Sequence, residues 1–380
     1  MDFDFSEEQE LLRRSVREFL EREAPREKVR LWDDEGQYPA ELYDKMAAVG
    51  YFGLPFPEEY GGAGCGAIEF AILGEELARS SYDIAAGYGL TVFMAMNLLH
   101  HGTKEQKDYY LPRVVKGEQR FSVSITEPGA GSDAASVTTF AQADGDDYLI
   151  NGQKMFSTAA GQPKNVIHLV ARTDRNVPKH KGLTFFLVDP KTPGMEIRPL
   201  RTLGRRILTT NAIYIENVRV PRQNIIGQLN GGWKVMLSGL ELERLFTSSA
   251  YVGNAQTVVD DAVRYAKERE QFGQPIGKFQ AIAHMLADMQ TDVDAARLLT
   301  YRAAFLIAKG RPALKEVSMA KLFGSEALVR ATNNGMQILG GFGYIMETDM
   351  QRYFRDARIV TVSAGSSQVQ RNIIARAIGL

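Results

Sequence analysis

The side chain in this sequence best suited to proton transfer is Glu243, within Ser238-Gly239-Leu240-Glu241-Leu242-Glu243-Arg244-Leu245. Met236, Leu240, Glu243, Thr247 and Ala250 recur at helical spacing, so one carboxylate interrupts a stripe of otherwise apolar or small residues. Burial disfavours the charged form of a carboxyl, raises its proton affinity and suits it to general-base work. The alternative turns Glu243 into solvent or pairs it with Arg244, as Glu241, three residues before that arginine, would be paired.

Four further stretches could hold a ligand. Thr126-Glu127-Pro128-Gly129-Ala130-Gly131-Ser132-Asp133 follows a predicted strand. Its glycines either let backbone N–H groups approach an anion or a flat ring edge, or simply make a tight turn. Lys154-Met155-Phe156-Ser157-Thr158 sets an aromatic two residues before a hydroxyl on a β segment, where both would face the same side. Phe156 there is an aromatic lid over a cofactor or, by default, a core residue. Arg269-Glu270-Gln271-Phe272-Gly273-Gln274-Pro275 separates two long helices, where an arginine grips a phosphate with two N–H groups or caps a helix end in solvent. Gln337-Ile338-Leu339-Gly340-Gly341-Phe342-Gly343 closes another helix with more glycine than a C-cap requires, but without the strand and spacing of a dinucleotide fingerprint.

The zinc, P-loop and hydrolase motifs are absent, and the five histidines show no ligand spacing, so no metal is expected. Lys+Arg 45 against Asp+Glu 46 leaves no net field for nucleic acid or anionic lipid. A single cysteine, Cys65, excludes an intrachain disulfide framework and suits a reducing compartment. The acidic start, Met1-Asp2-Phe3-Asp4-Phe5-Ser6-Glu7-Glu8, lacks the basic and apolar regions of a signal peptide. The apolar run 87–99 is too short to span a membrane and is expected to be a core helix or to line an acyl pocket. A cytoplasmic protein is expected.

The elements that must position these residues fall into three groups. A capping box at Ser6-Glu7-Glu8-Gln9, a helix opening near Pro39, apolar helices over 67–78 and 85–99, and a Thr103-capped helix make the first third helical. After Pro112 the pattern alternates, with strands at 121–125, 148–150, 166–170, 183–188 and 212–215. From Trp233 long helices return, one running unbroken to about Arg269, then 282–309 and 313–339. The expected fold is α+β: an N-terminal helical domain (1–118), a central β-barrel-like domain (119–230) and a C-terminal four-helix bundle (231–380).

In order and over nearly the whole chain, these stretches resemble the acyl-CoA dehydrogenase family. The strongest marks are 126–133, 269–275, 337–343 and the closing Ala364-Gly365-Ser366-Ser367-Gln368-Val369-Gln370-Arg371. The resemblance implies FAD between the β domain and the bundle, with an acyl-CoA thioester against the flavin. It implies that Ile125, Thr126 and Ser132 contact the ring or its linker, and that Phe156 and Thr158 sit beside it. Arg269, Phe272, Gln280, Gln337, Gly340 and Gly341 would bind the pyrophosphate and adenosine, in part across a dimer interface. Ser366 and Gln368 would complete the cofactor site, and Ser132, Leu242, Arg244, Ala364 and Gly365 would meet the substrate.

The sequence departs from the family pattern in three places. Phe156 stands where many members carry Trp, and Arg206-Ile207-Leu208-Thr209-Thr210-Asn211 replaces a usual Arg-Gly-Ser-Asp-Thr. Ala364 stands where medium- and short-chain members place the catalytic Glu. Isovaleryl-CoA and long-chain members take their base from the helix after the β domain, just before an Arg, and Glu243 matches that position. The implied reaction is α,β-dehydrogenation, with Glu243 removing the α-proton and flavin N5 accepting the β-hydride. Electron-transferring flavoprotein is the implied acceptor, and a homodimer or homotetramer the implied assembly. The rivals are an enoyl-CoA reductase or monooxygenase of this fold, and a non-catalytic acyl-CoA-binding protein.

Overall fold

The Ser6 hydroxyl accepts the Gln9 amide at 3.2 Å while the Gln9 side chain accepts the Ser6 amide at 3.1 Å, so the capping box starts helix α1 (Glu7–Glu23) as its spacing predicts. The structure is a computed structural model that describes residues 4–380; Met1, Asp2 and Phe3, which open the acidic start, lie outside it. Helices α2 (Arg26–Glu35), α3 (Ala40–Ala48), α4 (Ala67–Ser80), α5 (Tyr82–His101) and α6 (Lys104–Val115) complete the N-terminal part. Helix α2 leaves no pattern to read, because its N-cap is Pro25 and only Val29, Trp32 and Asp33 are buried on it. Helix α6 runs past Tyr110, where its spacing predicts an end, and through Pro112 to Val115.

Eight strands follow: β1 (Arg120–Ser124), β2 (Phe140–Asp144), β3 (Asp147–Thr158), β4 (Asn165–Arg172), β5 (Leu183–Val188), β6 (Met195–Pro199), β7 (Thr210–Pro221) and β8 (Ile225–Ile226). They form one sheet in the order β6-β7-β3-β2-β4-β5-β8, with β1 beside β4. The pairs β1/β4 and β2/β4 are parallel and the others antiparallel. Strands β4 and β5 are covered on both faces. Ile167, Leu169, Phe186 and Val188 face a core within the sheet domain, while Val170, Phe185 and Leu187 pack on the helical core. Such strands read as continuous apolar runs and were legible; β2 and β6, largely exposed, were not.

The C-terminal part contains α7 (Gly232–Ser238), α8 (Leu240–Glu268), a small hairpin of β9 (Glu270–Gln271) and β10 (Gln274–Pro275), α9 (Gln280–Ala308), α10 (Leu314–Leu339), α11 (Gly341–Tyr344), α12 (Met350–Ala357) and α13 (Ser367–Ala377). The helix expected to run unbroken to Arg269 is two helices. At Gly239, where the chain restarts as α8, a Cβ would lie 2.4 Å from the Asn97 Oδ1 of α5. Helix α8 packs on α4, α5, α9 and α10 and thereby joins the two helical parts. Among the described residues no helix is long and apolar enough to cross a membrane.

A buried ionic junction ties all three parts together. Arg205, in the loop after β6, donates its Nε–H to Asp83 at the start of α5 and its backbone N–H to Asp356 of α12 at 2.6 Å. Arg355 of α12 donates to Asp33 of α2, and the Leu208 amide donates to Asp83 at 3.3 Å. At Gly204 a Cβ would lie 2.4 Å from the carbonyl carbon of Arg355, so this contact admits no side chain. Burial, reinforced by the neighbouring Asp83 and opposed by Arg352, pushes the Asp356 carboxyl up to about 7. A carboxyl raised in the folded state adds stability at low pH that is lost as pH rises through its folded value. Thermal midpoints should therefore fall from about pH 4 to about pH 7 and level off above that. Asp356→Asn keeps the acceptor for the Arg205 amide, removes the titrating charge and should flatten that slope; a parallel slope in the variant would assign it to other groups.

Candidate active site

The loop after β1 is fixed by a buried lysine. Lys154 of β3 donates to the Ile125 carbonyl at 3.0 Å and to Glu127 Oε1 at 2.8 Å, and both partners of this ion pair are buried. The Glu127 carboxylate also accepts from the Thr138 amide (2.6 Å), the Thr138 hydroxyl (2.7 Å) and the Thr139 amide (2.9 Å). Burial alone would raise the Glu127 carboxyl, but the Lys154 ammonium and these hydrogen bonds outweigh it and hold it at about 2. Burial pulls Lys154 down to about 8 against the attraction of Glu127, so both are charged at neutral pH. The Met155 amide donates to the Thr126 carbonyl at 2.8 Å, locking strand and loop edge to edge. Ile125 and Thr126 are thus half-buried at the rim, while Gly129, Gly131 and Ser132 are exposed, with open space where Gly129 and Gly131 would carry a Cβ.

Phe156 corrects the expectation of a regular strand. The pairing of β3 with β7 shifts register between Lys154 and Ser157, and Phe156 takes a left-handed φ of 61°. The bulge breaks the period-two alternation that put Phe156 and Thr158 on one side. It turns Phe156 outward with 62% of its surface exposed, so Phe156 is not a core residue. The segment below holds this geometry: the Asn211 side chain donates to the Ser157 carbonyl at 2.9 Å, and the Ala159 amide to the Thr209 carbonyl at 2.8 Å. Ile207 and Leu208 are buried beneath. The 206–211 departure therefore supports the loop carrying Phe156 and Thr158.

Glu243 lies in the first turn of α8, its amide bonded to the Gly239 carbonyl and its carbonyl accepting the Thr247 hydroxyl at 2.9 Å. It is half-buried, and the surrounding protein raises its carboxyl, with Arg244 and Lys321 pulling the other way. Among the described residues neither Glu243 nor Glu241 forms an ion pair with Arg244, so the local pairing that spacing allowed is not made. Arg244 is 4% exposed, with Nε and Nη1 unpartnered. Leu242 packs against the helical core. The apolar run of α5 is mostly core: Phe93 contacts Phe70 and Phe246 edge-on at 6.3 and 5.6 Å.

The closing loop lies against α10. Ala364 and Gly365 adopt φ of 53° and 81°, and the Ser366 hydroxyl caps α13 by accepting the Val369 amide at 3.3 Å. Gln368 is exposed. Arg269, Gly340 and Gly341 come together elsewhere, around a cavity of about 540 Å³ shared with Tyr265, Gln271 and Phe342. Arg269 lies 5.9 Å from the Phe342 ring centroid. Phe272, at the hairpin tip, is 94% exposed, and Gln280 and Gln337 are exposed nearby in the sequence. No residue of the sheet domain lines this cavity. Lys154, Glu127 and Lys321 carry much of the site's organisation but were not singled out in the sequence. The one signal was a lysine within a strand segment, two residues before Phe156.

Three domain profiles match in order: acyl-CoA dehydrogenase N-terminal domain over residues 6–118, middle domain over 122–218 and C-terminal domain over 230–379. The chain belongs to the acyl-CoA dehydrogenase family and is an oxidoreductase. It is 40% identical over 374 residues to the 3-(aryl)acrylate reductase of Clostridium sporogenes, covering 98% of each chain. It is 39% identical to the caffeyl-CoA reductase-Etf complex subunit CarC of Acetobacterium woodii, covering 97% of this chain and 98% of that one. Butyryl-CoA dehydrogenase from Megasphaera elsdenii superposes with a TM-score of 0.94 at 32% identity over 100% of both chains.

Glu127→Gln would leave the Lys154 ammonium buried without its counter-charge. The expected loss is about 3–5 kcal/mol of stability, measured by urea unfolding of the purified protein, with release of bound flavin. Unchanged stability together with full flavin content would show that the pair does not anchor the loop.

Proposed function

We propose that this protein catalyses α,β-dehydrogenation of an acyl-CoA thioester with FAD as cofactor and Glu243 as base. The observation that carries this reading is the setting of Glu243: an enclosed carboxyl, free of any ion pair with its neighbours, in a chain whose closing loop offers only Ala364. Glu243 removes the substrate α-proton; its raised proton affinity narrows the gap to that weak carbon acid. The amides of Ala364, Gly365 and Ser366 donate to no protein acceptor among the described residues and supply donors for the developing enolate oxygen. FAD, when bound, supplies the two-electron acceptor for the β-hydrogen.

The chain fits that cofactor. The exposed rim of Ile125, Thr126, Ser132, Phe156 and Thr158 suits a flat ring and its linker. The Arg269–Gly340–Gly341 cavity suits a pyrophosphate, with Phe272, Gln280 and Gln337 around it. By the family resemblance, the second region comes from a partner subunit, in a dimer or a dimer of dimers. Ser366 and Gln368 border the ring region, and Leu242, Arg244, Ala364 and Gly365 the acyl side. The electron acceptor is an electron-transferring flavoprotein, in keeping with the CarC relative, whose name places it in an Etf complex.

Those reductase names favour a second reading, physiological reduction of a 2-enoyl-CoA by the same groups in reverse. Anaerobic titration of the yellow holoprotein with saturated acyl-CoAs should bleach the flavin, and Glu243→Gln should retain FAD while bleaching about 10²–10⁴-fold more slowly. Near-normal bleaching by that variant would remove Glu243 from the mechanism. Reoxidation of the reduced protein by an aryl-acryloyl-CoA, without bleaching by any saturated acyl-CoA, would support the second reading.

A further inference from the structure

Lys321 of α10 is fully buried, and its ammonium group donates to the carbonyls of Val360 at 3.0 Å and Gly365 at 2.8 Å. The equally buried Gln370 of α13 donates from Nε2 to the carbonyls of Gly365 (3.0 Å) and Ala364 (3.2 Å). Two side chains thus draw both loop carbonyls inward. In a trans peptide the N–H points opposite to the C=O, so the amides of Gly365 and Ser366 are turned away from these anchors. Neither amide has a protein acceptor among the described residues. The left-handed φ of Ala364, uncommon for a residue with a Cβ, is held by the same contacts.

Lys321 also stands within the electrostatic reach of the base. It and Arg244 favour the ionised form of Glu243, against burial. The other groups acting here are Glu241 on Arg244, Glu326 on Lys321, and the Tyr82 phenol of α5 facing Glu243. A buried lysine spent only on two backbone carbonyls is an expensive anchor, since an ammonium withdrawn from water needs a compensating charge. Among the described residues Lys321 has no carboxylate within ion-pair distance.

We infer that Lys321 is a positioning residue that couples the two halves of the reaction centre: it aims the 364–366 loop at the substrate carbonyl and supplies part of the positive field in which Glu243 gains and loses its proton. The inference rests on Glu243 being the base. One buried cation therefore stabilises both the ionised base and the loop that faces the developing enolate, and the loop cannot shift without moving charge relative to Glu243.

The test is stopped-flow bleaching of holoprotein by a saturating acyl-CoA, across a range of pH, for the parent, Lys321→Met, Lys321→Arg and Glu243→Gln. Lys321→Met should stay yellow yet bleach up to about a hundred-fold more slowly, the scale of a small misplacement at a reaction centre. Its acid limb should move to higher pH, because losing a nearby cation disfavours the Glu243 carboxylate. Lys321→Arg restores the charge without the original geometry, so it should return the limb towards the parent position while remaining slow. A parent-like rate and limb in Lys321→Met overturns the inference. If Lys321→Met does not fold, a parent-like rate in Lys321→Arg overturns it instead. Bleaching that persists in Glu243→Gln defeats the base assignment itself, whereas a silent Glu243→Gln beside a parent-like Lys321→Met defeats only the role of Lys321.

Discussion

The ion pair between Lys154 and Glu127 is the constraint from which the ligand-facing surface follows. A lysine buried in a sheet is tolerable only because its ammonium meets a carboxylate and a carbonyl, and that carboxylate in turn caps the amides of Thr138 and Thr139. The result is a loop held beside the end of β3 by polar contacts as well as by the packing of Ala130 and Val137. The bulge that exposes Phe156 begins immediately after Lys154. A single buried cation thereby anchors the glycine-rich rim next to the bulge that turns Phe156 outward.

The same device recurs twice. Arg205, bridging Asp83 and Asp356, ties the sheet domain to α5 and α12, and Lys321 ties the closing loop to α10. In each case a buried positive group reaches across an element boundary to oxygen atoms that no local structure satisfies. Apolar packing joins the helical parts along α8, but these polar clasps fix the loops. That division suits an enzyme whose reacting groups come from loops and helix ends, since packing alone leaves such segments free to shift.

Glu243 shows how position modifies chemistry. Its carboxyl is enclosed enough to resist ionisation, yet two nearby cations offset that resistance without forming an ion pair. A direct salt bridge to Arg244 would have lowered its proton affinity and occupied its lone pairs. Arg244 is instead buried with Nε and Nη1 unpartnered, and no ion pair joins it to Glu243 among the described residues.

Much of the architecture was legible because periodicity reports burial. The capping box of α1, the long C-terminal helices and the two-sided strands β4 and β5 all announce themselves in residue pattern. Short or mostly polar elements such as α2, β2 and β6 did not, since they bury too little to leave a pattern. The order of the motifs and the vacancy at Ala364 directed attention to Glu243 from sequence alone. What only the tertiary structure decided was environment. At the break Gly239 packs against Asn97, the outward turn of Phe156 follows a register shift against β7, and Glu243 stands beside a buried, unpaired Arg244. Each depends on a residue far away in the chain, and no local pattern encodes a long-range distance or the charge it brings.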